Sequence, residues 1–248
     1  MKKKYQISIE GVRDFVNANR GAVSERSQRA YSQNKVDIKK HLEDIFTVYK
    51  NNDIIDGQRI SDMFFPTETK ERFKVFVSHS GKDKNDVEKL ALTLQAFGIN
   101  CFVDWMVWEN LADLQKMIDD KYCVLTQVKD ENDKIKTTYN YDARNYSTAH
   151  THAMLSMALL DMIDQCDVCL FITSANSILP GTNFREVQTL SPWIYEEVSY
   201  MNHIATIERK FFAEGVEQDI NISHPLDLSS FRVLNANNLL YAIQNVND

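Results

Sequence analysis

Residues 73–105, FKVFVSHSGKDKNDVEKLALTLQAFGINCFVDW, constrain the fold more than any other stretch of this chain. The apolar run Val75, Phe76, Val77 breaks into the small polar segment Ser78, His79, Ser80, Gly81, which reads as a buried strand ending at a loop. Beyond it Val87, Leu90, Ala91, Leu94 and Phe97 recur at helical spacing. Asp83 or Asn85 can cap the start of that helix, and Gly98 stands where a left-handed residue ends it. A second strand starts at Ile99 and stops at Asp104 and Trp105. Strand, helix and strand within about thirty residues make a βαβ unit, whose strands must run parallel. The polar loops of such units gather at the carboxyl ends of the strands. Ser78, His79, Ser80, Asp104 and Trp105 are therefore expected on one rim of a sheet.

The remaining sequence sorts around that unit. A chain of 248 residues with 44% hydrophobic content can bury a sizeable core and has room for one domain plus an appendage. Residues 1–72 read as a helical N-terminal region. Ile9, Val12, Phe15 and Val16 suggest one short helix, Ile38, Leu42, Ile45, Phe46 and Tyr49 a second, residues 54–65 a third, and residues 66–70 a linker. This region would either cap the following domain or bring copies of it together. Residues 73–248 form the main domain, with insertions at about 106–146 and 178–190. In the first insertion Leu111, Leu114, Met117 and Ile118 predict a helix, and residues 123–128 and 135–139 predict a hairpin around a charged turn. So long an excursion beside a polar rim reads as a lid or a binding element. A helix capped by Ser147 or Thr148 should run to about Gln165, followed by a buried strand over residues 168–173 and a polar loop over 174–177. In the tail, residues 203–207, 220–222 and 231–234 are strand candidates, and Leu239, Leu240, Ile243 and Val246 mark a last amphipathic helix.

Charge and cysteine usage narrow the function classes. The net charge of -7 argues against a general nucleic-acid binder, and Lys2, Lys3 and Lys4 read as a solvated terminus. Residues 5–12 are too short and polar for a secretory signal, and the most apolar helix candidate, residues 153–163, is interrupted by Ser156 and Asp161. A soluble cytoplasmic protein without membrane contact is the expectation. Cys101, Cys123, Cys166 and Cys169 are too few for a disulfide framework. Cys166 and Cys169, three apart on or entering a strand, would face opposite ways and so read as buried thiols, not metal ligands. His150 and His152 diverge by about 200° on a helix and read as polar surface residues.

A helix opening at Pro192 after a Ser191 cap carries the clearest chemistry. Trp193 and Glu197 are four apart and share a face. Spacing alone favours an ordinary glutamate above a core tryptophan. No nucleoside-triphosphate loop, H-E-x-x-H, G-x-S-x-G or paired C-x-x-C is present, so metalloprotease, hydrolase-elbow and zinc-ribbon readings have no residues behind them.

The segments FVSHSGKD and GINCFVDW, the run Ser147, Thr148, Ala149, the run CDVCLFITSANS from Cys166, and SPWIYEE from Ser191 occur in this order. Together they resemble the boxes of bacterial TIR (Toll/interleukin-1 receptor) domains, with Trp193 and Glu197 on the fixed positions of the family's S-x-W-x-x-x-E box. The resemblance covers roughly residues 73–248. It implies an α/β, flavodoxin-like TIR fold with a central parallel β-sheet flanked by helices. It also implies hydrolysis or cyclisation of NAD+ by a nucleosidase or ADP-ribosyl cyclase, releasing nicotinamide and an ADP-ribose-derived signal, as in Thoeris-type antiphage defence. Glu197 would be the catalytic carboxylate, steadying the oxocarbenium-like ribose as the cationic nicotinamide leaves. Trp193, Ser78, His79, Ser80, Asp104 and Trp105 would hold the substrate. NAD+ would serve as substrate with no separate cofactor or metal. Expected partners are further copies of the chain, met through the TIR domain, and an effector protein reached through the nucleotide signal. The enlarged 106–146 segment departs from the family pattern at the place where neighbouring copies usually complete the site. Two other readings accompany this one: a non-catalytic interaction module, and an enzyme resembling nucleoside deoxyribosyltransferases. A phosphoacceptor receiver domain fits less well, because the first strand ends in Ser-His-Ser and not in an acidic pair.

Overall fold

The computed structural model describes residues 2–25, 27–29, 73–103, 105–129, 135–179, 187–203 and 224–245. The βαβ unit forms as its pattern dictates: strand β2 (Val75–Ser78), helix α2 (Lys84–Ala96) and strand β3 (Cys101–Val103). Gly98, at φ 74°, closes the helix, in the left-handed conformation that costs a glycine nothing. Strands β2 and β3 pair in parallel, Val75 opposite Cys101.

Among the described residues the sheet has five strands, the first of them over residues 3–8. Strand β1 (Lys3–Ser8) lies between β6 (Val168–Thr173) and β9 (Arg232–Leu234), giving the order β3-β2-β6-β1-β9. Every pairing within it is parallel. The fold is thus flavodoxin-like α/β, with the N-terminal strand in the fourth position of the sheet. This corrects the reading of residues 1–72 as a helical region set beside the α/β domain. Tyr5 and Ile7 alternate with Gln6 and are 3% and 1% exposed, a period-two pattern that fits a pleated strand. Helix α1 (Ile9–Ala18) follows at the expected place, capped by Ser8, whose Oγ accepts from Gly11 N, with Ile9, Val12 and Phe15 buried. The other two expected helices and the linker of this region lie outside the described residues.

The lysines at the start are likewise not a solvated terminus. Lys2 Nζ donates to the carbonyls of Ile163 at 2.7 Å and Cys166 at 2.9 Å, and also to that of Asp164. These acceptors end helix α4 (Tyr141–Gln165), where a cation meets the negative end of the helix dipole. Lys4 Nζ donates to Asn202 at 3.1 Å and sits 5.8 Å from the Phe231 ring centroid.

Helices cover both faces of the sheet. On one face α1, α2 and α6 (Leu239–Gln244) pack through Val12, Phe15, Val87, Leu90, Leu239 and Ile243 against Val75, Val77, Leu170 and Ile172. On the other, α3 (Trp105–Tyr122), α4 and α5 (Pro192–His203) pack through Leu114, Leu159, Ile194 and Val198 against Phe76, Cys169 and Phe171. Each fully buried aliphatic or aromatic side chain of these layers contributes about 1.5–3 kcal/mol over an exposed one.

The first insertion is ordered much as its pattern predicts. Helix α3 buries Leu114 and Ile118, and strands β4 (Val124–Lys129) and β5 (Ile135–Tyr139) form an antiparallel hairpin. Helix α4 begins at Tyr141, earlier than expected, because Asn140 and not Ser147 or Thr148 caps it: Ala143 N donates to Asn140 Oδ1 at 3.0 Å. Ser147 has another task. Its hydroxyl donates to the buried Asp119 at 2.8 Å, and Arg144 Nε donates to the same carboxylate at 3.0 Å, so the two helices that flank the hairpin are fastened to each other. Among the described residues no helix is long and apolar enough to cross a membrane.

Of the tail elements, β9 and α6 form. Residue 203 ends α5 and does not begin a strand, while residues 204–223 and Val246 lie outside the described residues. The second insertion supplies β7 (Gln188–Thr189), which pairs with β8 (His224–Pro225) as a small separate ribbon.

Candidate functional site

The rim begins where β2 ends. Ser78 and His79 are buried, at 0% and 3% exposure, and Ser80 is half-buried. Ser78 Oγ has no hydrogen-bond partner among the described residues, a state that costs about 1–3 kcal/mol and that a ligand or water would relieve. Ser78 follows Phe76 by two positions, so both side chains face the same side of the sheet. Phe76 packs with Ile194 and Val198 of α5. Ser78 therefore faces the layer that contains α5.

Glu197 belongs to that layer. Pro192 opens the helix and Ser191 caps it, its Oγ accepting from Ile194 N at 3.3 Å. The buried residues of α5 are Ile194, Glu197, Val198 and Met201, the i, i+3, i+4, i+7 stripe of an inward helical face. One carboxylate thus interrupts an apolar stripe, and its side chain is 0% exposed. Helix α5 touches β2, α4, β7 and β8. A carboxylate held so deep is expensive unless its surroundings compensate, and such groups concentrate where proteins do chemistry.

The topology gives the rim a further property. The helix that follows β2 lies on one face of the sheet and the helix that follows β6 lies on the other, although the two strands are neighbours. Their carboxyl ends consequently flank the switch point at which ligands enter open α/β sheets. Asp83 bridges it. Its carboxylate accepts from Asn176 Nδ2 at 2.7 Å and from Ser174 Oγ, and Ser177 Oγ closes the loop by donating to the Ile172 carbonyl at 3.1 Å. Asp83 is 7% exposed and makes no side-chain cap on α2. Asp83 takes the N-cap position expected of it, but its carboxylate turns across the rim to the loop after β6 and does not cap the helix.

Trp193 faces a different neighbour from the one its spacing suggests. Its indole stacks on the His152 ring of α4, with centroids 4.9 Å apart and 22° between planes. His152 is half-buried, and its Nδ1 lies 3.3 Å from Ser156 Oγ, so it is an interhelical residue and not the surface polar group expected. His150 is exposed and rests against Tyr146. Beside this stack Tyr200 donates to Glu196 Oε1 at 2.7 Å. Burial first, then the negative charge of Glu196, push the Tyr200 phenol far above its ordinary value, so it stays a hydrogen-bond donor.

The structure thus puts Ser78, His79 and Ser80 at the end of β2 and Glu197 on the inward face of α5, a helix that touches β2, with Trp193 at the α4 border. Trp105 opens helix α3 and does not end a strand, and Asp104 lies outside the described residues. Sequence reasoning missed Asp83, Ser174 and Asn176 as a rim-spanning set. The signal was present in two small polar segments that each follow a buried strand, but nothing in either segment names the other as its partner.

Cys166 and Cys169 also differ in detail from their expected placement. Cys166 ends α4 and precedes β6, and both thiols join the same buried cluster. Burial pushes Cys169 and Cys101 up to about 12 and raises Cys166 as well, which keeps all three neutral. Among the described residues no group of three or more His, Cys, Asp or Glu side chains is placed to hold a metal ion. Comparison with protein-family models, curated proteins and solved structures finds no match to this chain.

Proposed function

We propose that this chain is a TIR-type NAD+ glycohydrolase or cyclase whose catalytic carboxylate is Glu197. The observation that carries the reading is a fully buried glutamate on the inward face of α5, in the layer faced by the hydroxyl of Ser78 at the switch point of a parallel sheet. The order of sequence boxes around Trp193 and Glu197 supplies the reaction class. In the reaction the bond from ribose C1′ to the nicotinamide nitrogen breaks, and its electron pair leaves with the ring, neutralising the pyridinium. Glu197 steadies the cationic ribose. Water then attacks C1′ and loses a proton to solvent, giving ADP-ribose, or a nitrogen of the adenine attacks and gives a cyclic product. Ser78 and Ser80 hold ribose or phosphate oxygens, and Trp193 walls the site. Because Glu197 has no exposure in this conformation, substrate reaches it only after a rearrangement around α5, which makes activity conditional. A role in antiphage nucleotide signalling accords with such conditional activity.

The test is nicotinamide release from NAD+ by purified protein, with product masses resolved and with Glu197→Gln as control. Turnover by the parent and none by the variant is the expected result. Equal turnover by both would end the assignment of Glu197.

One observation favours a second reading, that of an interaction module. The β4–β5 hairpin exposes Leu125, Val128 and Ile135 at 62%, 63% and 64%, and a two-stranded ribbon with two open edges and exposed apolar residues invites a partner. Self-association through this domain agrees with both readings. Sedimentation of Leu125→Asp with Ile135→Lys locates it: loss of association with an unchanged melting temperature places the contact on the hairpin.

A further inference from the structure

A second site lies on the face of the sheet opposite Glu197. Helices α1 and α2 pack side by side there, and between them is a pocket of about 370 Å³ lined by Arg13, Val16, Arg20, Asp86, Lys89 and Leu92, among others. That volume lies within the range of small-molecule sites, about 300–1,000 Å³. Its chemistry is lopsided. Arg13, Arg20 and Lys89 supply three positive charges against the single negative charge of Asp86, a local excess of two in a chain whose net charge is -7.

The charges are also distributed unevenly. Arg13 Nε is committed to Asp86 Oδ2 at 2.8 Å, and the Asp86 hydrogen bond raises its affinity for the proton, with Glu10 and Asp83 adding to the negative field at that end. Lys89 lies 3.8 Å from the other oxygen of Asp86 and is 63% exposed at its side chain. Arg20 is exposed and is oriented by Asn17, to whose Oδ1 it donates at 2.6 Å. Arg20, held by a neutral amide, is therefore the cation least offset in the pocket, and Lys89 is the more loosely held of the two cations that share Asp86. Val16 and Leu92, half-buried against the core, supply an apolar floor beside them.

From this juxtaposition we infer that the α1–α2 pocket binds a phosphorylated small molecule of mononucleotide size. Its phosphate would lie between Arg20 and Lys89, and its ring on Val16 and Leu92. A phosphate monoester carries nearly two negative charges at neutral pH, which matches the local excess, and the guanidinium fork of Arg20 suits phosphate geometry. The inference does not depend on the reaction assigned to Glu197, since the two sites lie on opposite faces of the sheet.

The experiment is calorimetric titration of the full chain with AMP, adenosine and inorganic phosphate at low and high salt. Saturable AMP binding that weakens with salt, exceeds that of phosphate and is absent for adenosine is the expected result. Arg20→Glu with Lys89→Glu should weaken AMP binding at least about tenfold, while Arg20→Lys with Lys89→Arg retains most of it. Equal affinity for adenosine and AMP, equal affinity for phosphate and AMP, or no saturation by AMP would each overturn the proposal. So would retention of AMP binding in the double charge reversal. Both altered cations are exposed, so melting curves that match the parent confirm that the charge reversals act locally.

Discussion

Asp83 and Asn176 are joined across the rim by a hydrogen bond of 2.7 Å, although they are 93 positions apart in the chain. Together with Ser174, which donates to the same carboxylate, they hold the loop after β2 against the loop after β6. Asp83→Ala leaves two donors without their buried acceptor, a loss of about 1–3 kcal/mol. The expected outcome is a lower midpoint in urea and, if NAD+ is the substrate, a higher KM with a smaller change in kcat. Asn176→Ala should give the weaker form of the same phenotype.

Glu197 allows stability and activity to be separated. Replacing it by glutamine keeps its volume and its hydrogen-bonding capacity and removes the carboxylate that the proposed reaction uses. Glu197→Gln is expected to melt at the same temperature as the parent or higher, and to release no nicotinamide. A variant that melts several degrees lower would identify Glu197 as a structural group.

The buried thiols fix the alkaline limit of the fold. Cys101 and Cys169 are raised from 9.0 to about 12, so above pH 9 the unfolded chain has released protons that the folded chain still holds. Their contribution to stability is complete below pH 9 and is lost as pH rises toward 12. Each such group lowers stability by about 1.4 kcal/mol per pH unit in that window. Urea midpoints measured from pH 7 to 11 should stay level and then fall. A thiol reagent at pH 8 should label none of Cys101, Cys166 and Cys169 until denaturant is added.

Lys2 gathers three carbonyls at the end of α4 with its side chain only 19% exposed. Lys2→Met keeps most of the aliphatic stem and removes the charge, so the expected loss is about 1 kcal/mol, read from chemical denaturation. The effect should persist in high salt, because a partly buried contact is screened less than a surface one.

The parallel βαβ core was legible because Val75, Phe76 and Val77 end abruptly at Ser78 and because the α2 stripe ends at Gly98. The hairpin was legible from two β-rich runs around a charged turn. Strand β1 was not, since Lys3 and Lys4 dilute its apolar signal and only Tyr5 and Ile7 are fully buried. A short alternation beside lysines reads as a terminus until its neighbours are known. At the site, helical spacing put Trp193 and Glu197 on one face but could not supply His152, which comes from another helix. Nor could local sequence turn Asp83 away from its cap position, because Ser174 and Asn176 become its partners only once β6 lies beside β2.

Placing β1 between β6 and β9 sets a schedule for making this molecule. As the chain leaves the ribosome, residues 3–8 emerge early, yet neither edge they bind exists until Val168–Thr173 and then Arg232–Leu234 have been synthesised. Closure of the sheet is therefore a late event governed by contacts distant in sequence, which slow folding. Until then Tyr5 and Ile7 lack the neighbours that bury them in the finished sheet, and an unpaired strand of this kind is open to mispairing.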